Sequence, residues 1–286
     1  MRLIGRTSRG HSGPEYLLGY LTLTILLCLP LPGQAAALPV ATLTTPLTGQ
    51  APFGSIKGRL VWGGEEIPPV KVLAAKGQAP KDPNVCARDQ PILSRELNVD
   101  PKTKGVAFAF AYITRPKGTN PEAVKELIAQ HPKVELDQQN CEFLPYLLPM
   151  HQDQVLLVKS SDPTNHNVRL TPFKNAGVNQ NLAPQGQLEL KLVAENLPIR
   201  VACDIHPWMH AWVMVFDHPF YAVTGPDGSF EIKGLPPGTE NLVLWQENVG
   251  FVLPERGRGR PVTIKAGEVT DVGEIKLDPA KVKPAG

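Results

Sequence analysis

Between Ser55 and Gln246 the chain is cut into short runs in which apolar residues alternate with polar or small ones, and a single stretch has helical periodicity. Successive side chains of a strand point to opposite faces, so a repeat of two fits many short strands rather than long helices. The clearest case is Val106, Phe108, Phe110 and Tyr112 alternating with Ala107, Ala109 and Ala111, which predicts a strand with one bulky and one small face. Further strands are predicted at 55–62, 70–74, 134–138, 154–160, 167–171, 187–193, 199–202 and 211–217, and hairpin-sized ones at 220–224, 230–233 and 242–246. Asn120-Pro121 reads as an N-cap and first turn, Ala123, Val124, Leu127 and Ile128 share a helical face, and His131-Pro132 stops this one surface helix. With 30 prolines and 25 glycines in 286 residues, the chain is turn-rich yet below the roughly 25–30% that marks low-complexity disorder.

The N-terminus reads as an export signal. Arg2, Arg6 and Arg9 precede an apolar run from Tyr16 to Leu31, and the small residues Ala35, Ala36 and Ala37 follow. An uncleaved anchor is the alternative, since the run approaches the shortest spanning length of roughly 17 residues. Residues 1–37 are therefore expected to be a signal peptide and 38–52 a disordered leader. Export implies a periplasmic or extracellular protein. Removing 1–37 takes away two net positive charges, which equals the whole formal charge of +2. A neutral mature chain argues against nucleic acid as a partner, and no membrane contact is expected beyond the signal segment.

Cys28 leaves with the signal, so Cys86, Cys141 and Cys203 enter an oxidising compartment. Cys203 stands apart through its neighbours. The stretch Val201–Trp212 reads VACDIHPWMHAW and sets Cys203, His206 and Met209 at C-x2-H-x2-M spacing between two predicted strands. A short inter-strand loop brings a thiolate, an imidazole and a thioether to one point, and two histidines, one cysteine and a weak axial methionine are the ligands of blue-copper sites. The second histidine is His166 in the segment DPTNHNV, at the start of another predicted strand. His151 is the alternative, although it lacks the Asn-Val that follows His166. Zinc is the alternative metal, but methionine is a poor ligand for it. Cys86 and Cys141 then remain for a disulfide.

CDIHPWM and NHNV resemble the copper loop and upstream ligand segment of amicyanin-type cupredoxins. The resemblance implies one type 1 copper ion held by His166, Cys203, His206 and Met209. It implies that Asn167 ties the two ligand segments together. It also implies that the edge of His206 reaches the surface, where Pro207 and Trp208 form an apolar docking patch. The stretch GPDGSFEIKGLPPGT resembles the carboxypeptidase regulatory-like, or transthyretin-like, β-sandwich module. The whole chain resembles a bacterial group labelled methylamine-utilisation or plastocyanin-like proteins, a label from which no methylamine chemistry follows. The expected fold is all-β: a cupredoxin-like Greek-key sandwich with an N-terminal extension over 53–217, a regulatory-like module over 218–280, and a tail over 281–286.

Larger copper machinery is excluded by counting. A binuclear centre needs two bridging thiolates and the loop offers Cys203 alone, while His131, His151, His210 and His218 are scattered rather than clustered. His210 is expected to face solvent, His218 to pack at the module junction, and the arginines of Glu255–Arg260 to form a solvated loop. No Ser-His-Asp arrangement, phosphate loop or paired-carboxylate signature is present. The expected function is therefore a non-enzymatic carrier of single electrons between redox proteins such as a c-type cytochrome or a dehydrogenase. The alternatives are a copper carrier, or a non-redox binding protein for carbohydrate or protein with a structural or vestigial copper site.

Overall fold

The computed structural model describes residues 52–283, so the expected signal peptide, and all of the leader but Pro52, lie outside the described residues. Among the described residues no helix is long and apolar enough to cross a membrane. Among the described residues the architecture is all-β with one α-helix, Pro121–Gln130. That helix starts as its sequence predicts: the Asn120 side chain accepts a hydrogen bond from Ala123 N, a proline occupies the first turn, and no residue of the helix is buried.

Two sandwiches share the chain. In the first, Gly54–Trp62 lies between Ser229–Leu235 and Val269–Leu277, facing a sheet in which Ala109–Ile113 pairs with Tyr221–Val223 and Gly238–Gln246. Ile56, Leu60, Ile113, Phe220, Ile232 and Leu244 fill its core. The turn at Gly225–Gly228 shows why glycine is needed there. Gly228 has φ +78°, accepts a hydrogen bond from Leu60 N on its carbonyl, and leaves only 2.0 Å between a would-be Cβ and Leu60 O.

The second sandwich carries the metal-ligand candidates. One sheet orders Gln187–Lys191, Val155–Ser160, Lys133–Gln139 and Glu142–Leu144. The other orders Val178–Leu182, His166–Thr171, Ile199–Ala202, His210–Phe216 and Leu147–His151. Leu136, Phe143, Leu156, Val168, Val201 and Val213 pack between them.

The expected division at 217/218 does not follow the sheets. Gly54–Trp62 and Ala109–Ile113, both placed in the copper domain by sequence, pair with strands that come after Asp217. Alternation assigns a strand its two faces but not its neighbours, which explains the difference. The two faces predicted for 106–112 are put to separate use. Ala109 and Ala111 face the first core, while Phe110 and Tyr112 face a seam with Tyr146, Met214, Phe216 and Trp245. Complete burial of a side chain such as Phe110 stabilises by about 1.5–3 kcal/mol, so this seam holds the two sandwiches together.

Candidate metal centre

Strand pairing gathers the candidate residues at one end of the second sandwich. Ile199–Ala202 and His210–Phe216 are antiparallel neighbours with Ala202 opposite His210, so the intervening Cys203–Met209 must fold into a tight loop. Its closure is visible in two hydrogen bonds: Cys203 N donates to Met209 O at 3.1 Å, and Met209 N donates to His206 O at 2.8 Å. On the other flank His166–Thr171 pairs with Ile199–Ala202, Arg169 opposite Ala202, which carries His166 up beside the loop. His166, Cys203, His206 and Met209 are all buried.

Three donor atoms face one point. His166 Nδ1 lies 3.1 Å from His206 Nδ1, and Cys203 Sγ lies 4.0 and 3.8 Å from them. The point equidistant from the three is about 2.1 Å from each, against metal–ligand lengths of roughly 2.0–2.1 Å for imidazole nitrogen and 2.3 Å for thiolate. Backbone Asn167 N donates to Cys203 Sγ at 3.3 Å. The Asn167 side chain accepts from Asp204 N, beside Cys203, at 3.4 Å and donates to Asn179 at 2.7 Å.

Each histidine is oriented from behind by a carboxylate. His166 Nε2 contacts Asp162 at 2.9 Å, and His206 Nε2 contacts Asp82 at 2.8 Å. A carboxylate accepts only, so each Nε2 carries a proton that points outward, and Nδ1 of each ring is the nitrogen that faces Cys203 and would ligate a metal once unprotonated. Asp162 is fixed in turn by Asn140 N at 2.7 Å and Cys141 N at 2.8 Å. Burial opposes charge on His166, but hydrogen bonds and attraction from Asp162 and Cys203 prevail and raise its pKa to about 9. Burial likewise opposes a Cys203 thiolate, yet hydrogen bonds from His166, His206 and Asn167 N lower its pKa to about 6. In the metal-free protein the pair is therefore thiolate and imidazolium near neutral pH.

The Cys86–Cys141 disulfide joins these two supports, with Cα atoms 5.1 Å apart. Cys86 N and Val85 N donate to Asp82 O in one turn, so the bond anchors the segment that carries Asp82 to the residue that holds Asp162. Cys203 is the free cysteine among the described residues.

Three expectations are corrected here. His206 does not reach the surface: it is 0% exposed, because Asp82 of the N-terminal extension covers its outer nitrogen. Pro207 is exposed, and Trp208 is half-buried with its ring 5.3 Å from that of His206 and its Nε1 donating to Cys141 O. His151 is not an alternative ligand, since it pairs opposite Phe216, at the far end of the strand from the loop. His210 does not face solvent: its side chain is 9% exposed and contacts Tyr146 and Glu247. His218 is buried against Phe216 and Phe220 at the seam, and burial lowers its pKa to about 4.

Sequence reasoning missed both supporting carboxylates. Asp162 stands four residues before His166 and was within reach of a search for acceptors near a ligand. Asp82 is 124 residues from His206, and no local pattern points to it.

No protein-family model matches the chain, and no curated protein matches it. Its structural neighbours include cupredoxins. A copper-containing nitrite reductase from Thermus scotoductus SA-01 is similar at TM-score 0.27 and 14% identity, over 29% of this chain and 22% of that one. A reduced amicyanin variant is similar at TM-score 0.27 and 14% identity, over 30% of this chain and 84% of that one. A purple cupredoxin from Nitrosopumilus maritimus is similar at TM-score 0.25 and 17% identity, over 29% and 98% of the respective chains. The chain thus spans about a fifth of the nitrite reductase. No more than 30% of this chain is matched in these cases, and the chemistry of the centre follows from its own donor atoms.

Proposed function

We propose that this chain is a mononuclear copper protein that carries single electrons, with His166, Cys203, His206 and Met209 as ligands. The observation that carries the reading is the triangle of two imidazole nitrogens and one sulfur around a point about 2.1 Å from each. Thiolate, imidazole and thioether form a soft to borderline donor set, which suits copper better than magnesium, calcium or manganese. A structural zinc site would want a fourth His or Cys. Among the described residues the other cysteine sulfurs nearby belong to the disulfide, which cannot ligate as thiolates.

Bound copper supplies a reversible one-electron couple. The chain's part is to hold the donors still and dry. Asp82 and Asp162 fix both ring tautomers, Asn167 N hydrogen-bonds the thiolate, and the disulfide ties the two carboxylate supports together. Burial of all four proposed ligands leaves little access for a substrate and favours a carrier over an enzyme. The disulfide fits an oxidising compartment, consistent with export by residues 1–37. A redox protein such as a c-type cytochrome or a dehydrogenase is the partner class this role requires. In this reading residues 218–280 retain their likeness to a regulatory-like module, although their sheets are completed by Gly54–Trp62 and Ala109–Ile113.

Copper loading of the purified chain tests the proposal. Wild type should take up one copper and show intense visible charge-transfer absorption that one electron bleaches reversibly. Cys203→Ser should lose the band. Retention of the band in that variant, or a colourless copper-loaded wild type, would reject the assignment.

A further inference from the structure

A second group of donors lies at the seam of the two sandwiches, one residue beyond the copper loop. Glu96 comes from the N-terminal extension, His210 opens the strand that follows Met209, and Glu247 follows Gly238–Gln246 of the first sandwich. One ligand atom from each lies within 4.8 Å of the others. His210 Nε2 is 3.0 Å from Glu247 Oε1 and 3.9 Å from Glu96 Oε1. Two atoms bound tetrahedrally to one first-row ion at about 2.1 Å sit about 3.4 Å apart, and these two separations bracket that value.

Hydrogen bonds tie three side chains together around His210 Nε2. Tyr146 Oη lies 2.8 Å from His210 Nε2 and also contacts Glu247 Oε2, while His210 Nε2 contacts Glu247 Oε1. Three mutual contacts are thus served by two protons, one on the phenol and one on Nε2. Burial and the Glu247 charge push the Tyr146 pKa far up, so the phenol keeps its proton and donates it to Glu247. That leaves Nε2 as the atom two carboxylates share. Side-chain exposure is 9% for His210 and 14% for Glu247, so their interaction is only weakly screened by solvent, while Glu96 at 44% forms the open rim.

We infer that Glu96, His210 and Glu247 form a second metal site, for a divalent first-row cation such as zinc, with Tyr146 holding the Glu247 carboxylate in place. One imidazole nitrogen and two carboxylates, without a thiolate, suit zinc, manganese or ferrous iron and set this site apart from the copper centre. The cation replaces the Nε2 proton and bridges the N-terminal extension, the copper-loop strand and the first sandwich. The assignment does not rest on the copper reading.

Zinc titration of the full chain tests it in a Cys203→Ser/His166→Ala background, where the first centre is dismantled. Calorimetry should find one equivalent of zinc that raises the melting temperature. Adding His210→Ala should abolish that binding. Adding Glu96→Gln, a change at the exposed rim with the circular dichroism retained, should weaken it at least about tenfold. Absence of zinc binding in the background variant, or binding unchanged by both Glu96→Gln and His210→Ala, would overturn the site and leave a hydrogen-bonded cluster only. The copper proposal is judged separately by the visible spectrum of wild type.

Discussion

The Asp82 carboxylate lies 2.8 Å from His206 Nε2, on the far side of the ring from the nitrogen that faces Cys203. Asp82 is thereby both a clamp on the ring and a cover over its outer edge. Removing it in Asp82→Ala should leave the visible band in place while lowering copper affinity about 10–100-fold, the usual cost of losing an outer-shell partner. Competition with a chelator of known affinity checks this. Unchanged affinity would make Asp82 a surface residue with no hold on the metal.

The metal-free protein should show an inverted thiol–imidazole pair. Thiolate absorbance in the ultraviolet should titrate with a midpoint near pH 6, and be absent in Cys203→Ser. The signs of the two stability contributions are opposite. His166, raised to about 9, contributes stability that is complete below its unfolded value near 6.5 and is lost as pH climbs through 9. Cys203, depressed to about 6, contributes stability that is complete above its unfolded value near 9 and is lost as pH falls through 6. Between these limits the folded and unfolded pairs bind the same number of protons, one on imidazole in the former and one on thiol in the latter. Urea midpoints of the metal-free protein should therefore be nearly flat from pH 6.5 to 9 as far as this pair decides them. A thiolate midpoint near 8.5 would contradict the geometry around Sγ.

The legible part of the structure was whatever a local pattern can encode. The loop Cys203–Met209, its flanking strands, the helix after Asn120 and the Cys86–Cys141 pairing all declare themselves within a few residues or by counting. Strands without an apolar rhythm did not. Val178–Leu182, VNQNL, is a largely exposed edge strand, and Leu147–His151 contains Pro149, so neither was anticipated. Long-range partnerships were also hidden. Gly54–Trp62 reads clearly as a strand, yet nothing in it says that its neighbours begin at Ser229 and Val269. His210 looked outward by alternation, which holds for an isolated strand but not for one whose outer face meets a second sandwich.

Removing the disulfide should weaken both fold and centre. It closes a loop of 55 residues, for which chain entropy gives about 4 kcal/mol. Cys86→Ser/Cys141→Ser should lower the urea midpoint accordingly and speed copper loss to a chelator, because the Asp82 segment is released. Alkylation of the native metal-free protein without reduction should label Cys203 alone. Labelled Cys86 or Cys141 in the native protein would show that the bond is absent in solution.

Electron exchange should respond to Trp208 and Asp82 in opposite directions. With His206 fully covered, a partner cannot touch the ring edge directly. Trp208 is the half-exposed group whose ring lies 5.3 Å from His206, and Pro207 beside it is exposed. The covering carboxylate adds negative charge at the same place, and a chain whose formal charge is only +2 provides little long-range steering to offset it. Trp208→Ala and Pro207→Glu should therefore slow oxidation by a small inorganic oxidant such as ferricyanide, about tenfold for each 1.4 kcal/mol added to the barrier, with the visible band nearly unchanged. Asp82→Ala should speed the same reaction by uncovering His206 and removing a charge that repels the anionic oxidant. Stopped-flow rates measured beside the spectrum and potential of each variant separate these effects from changes in driving force. If Trp208→Ala leaves the rate unchanged while Asp82→Ala raises it, the path runs through the cap alone. If none of the three variants alters the rate, the electron leaves by another face of the protein.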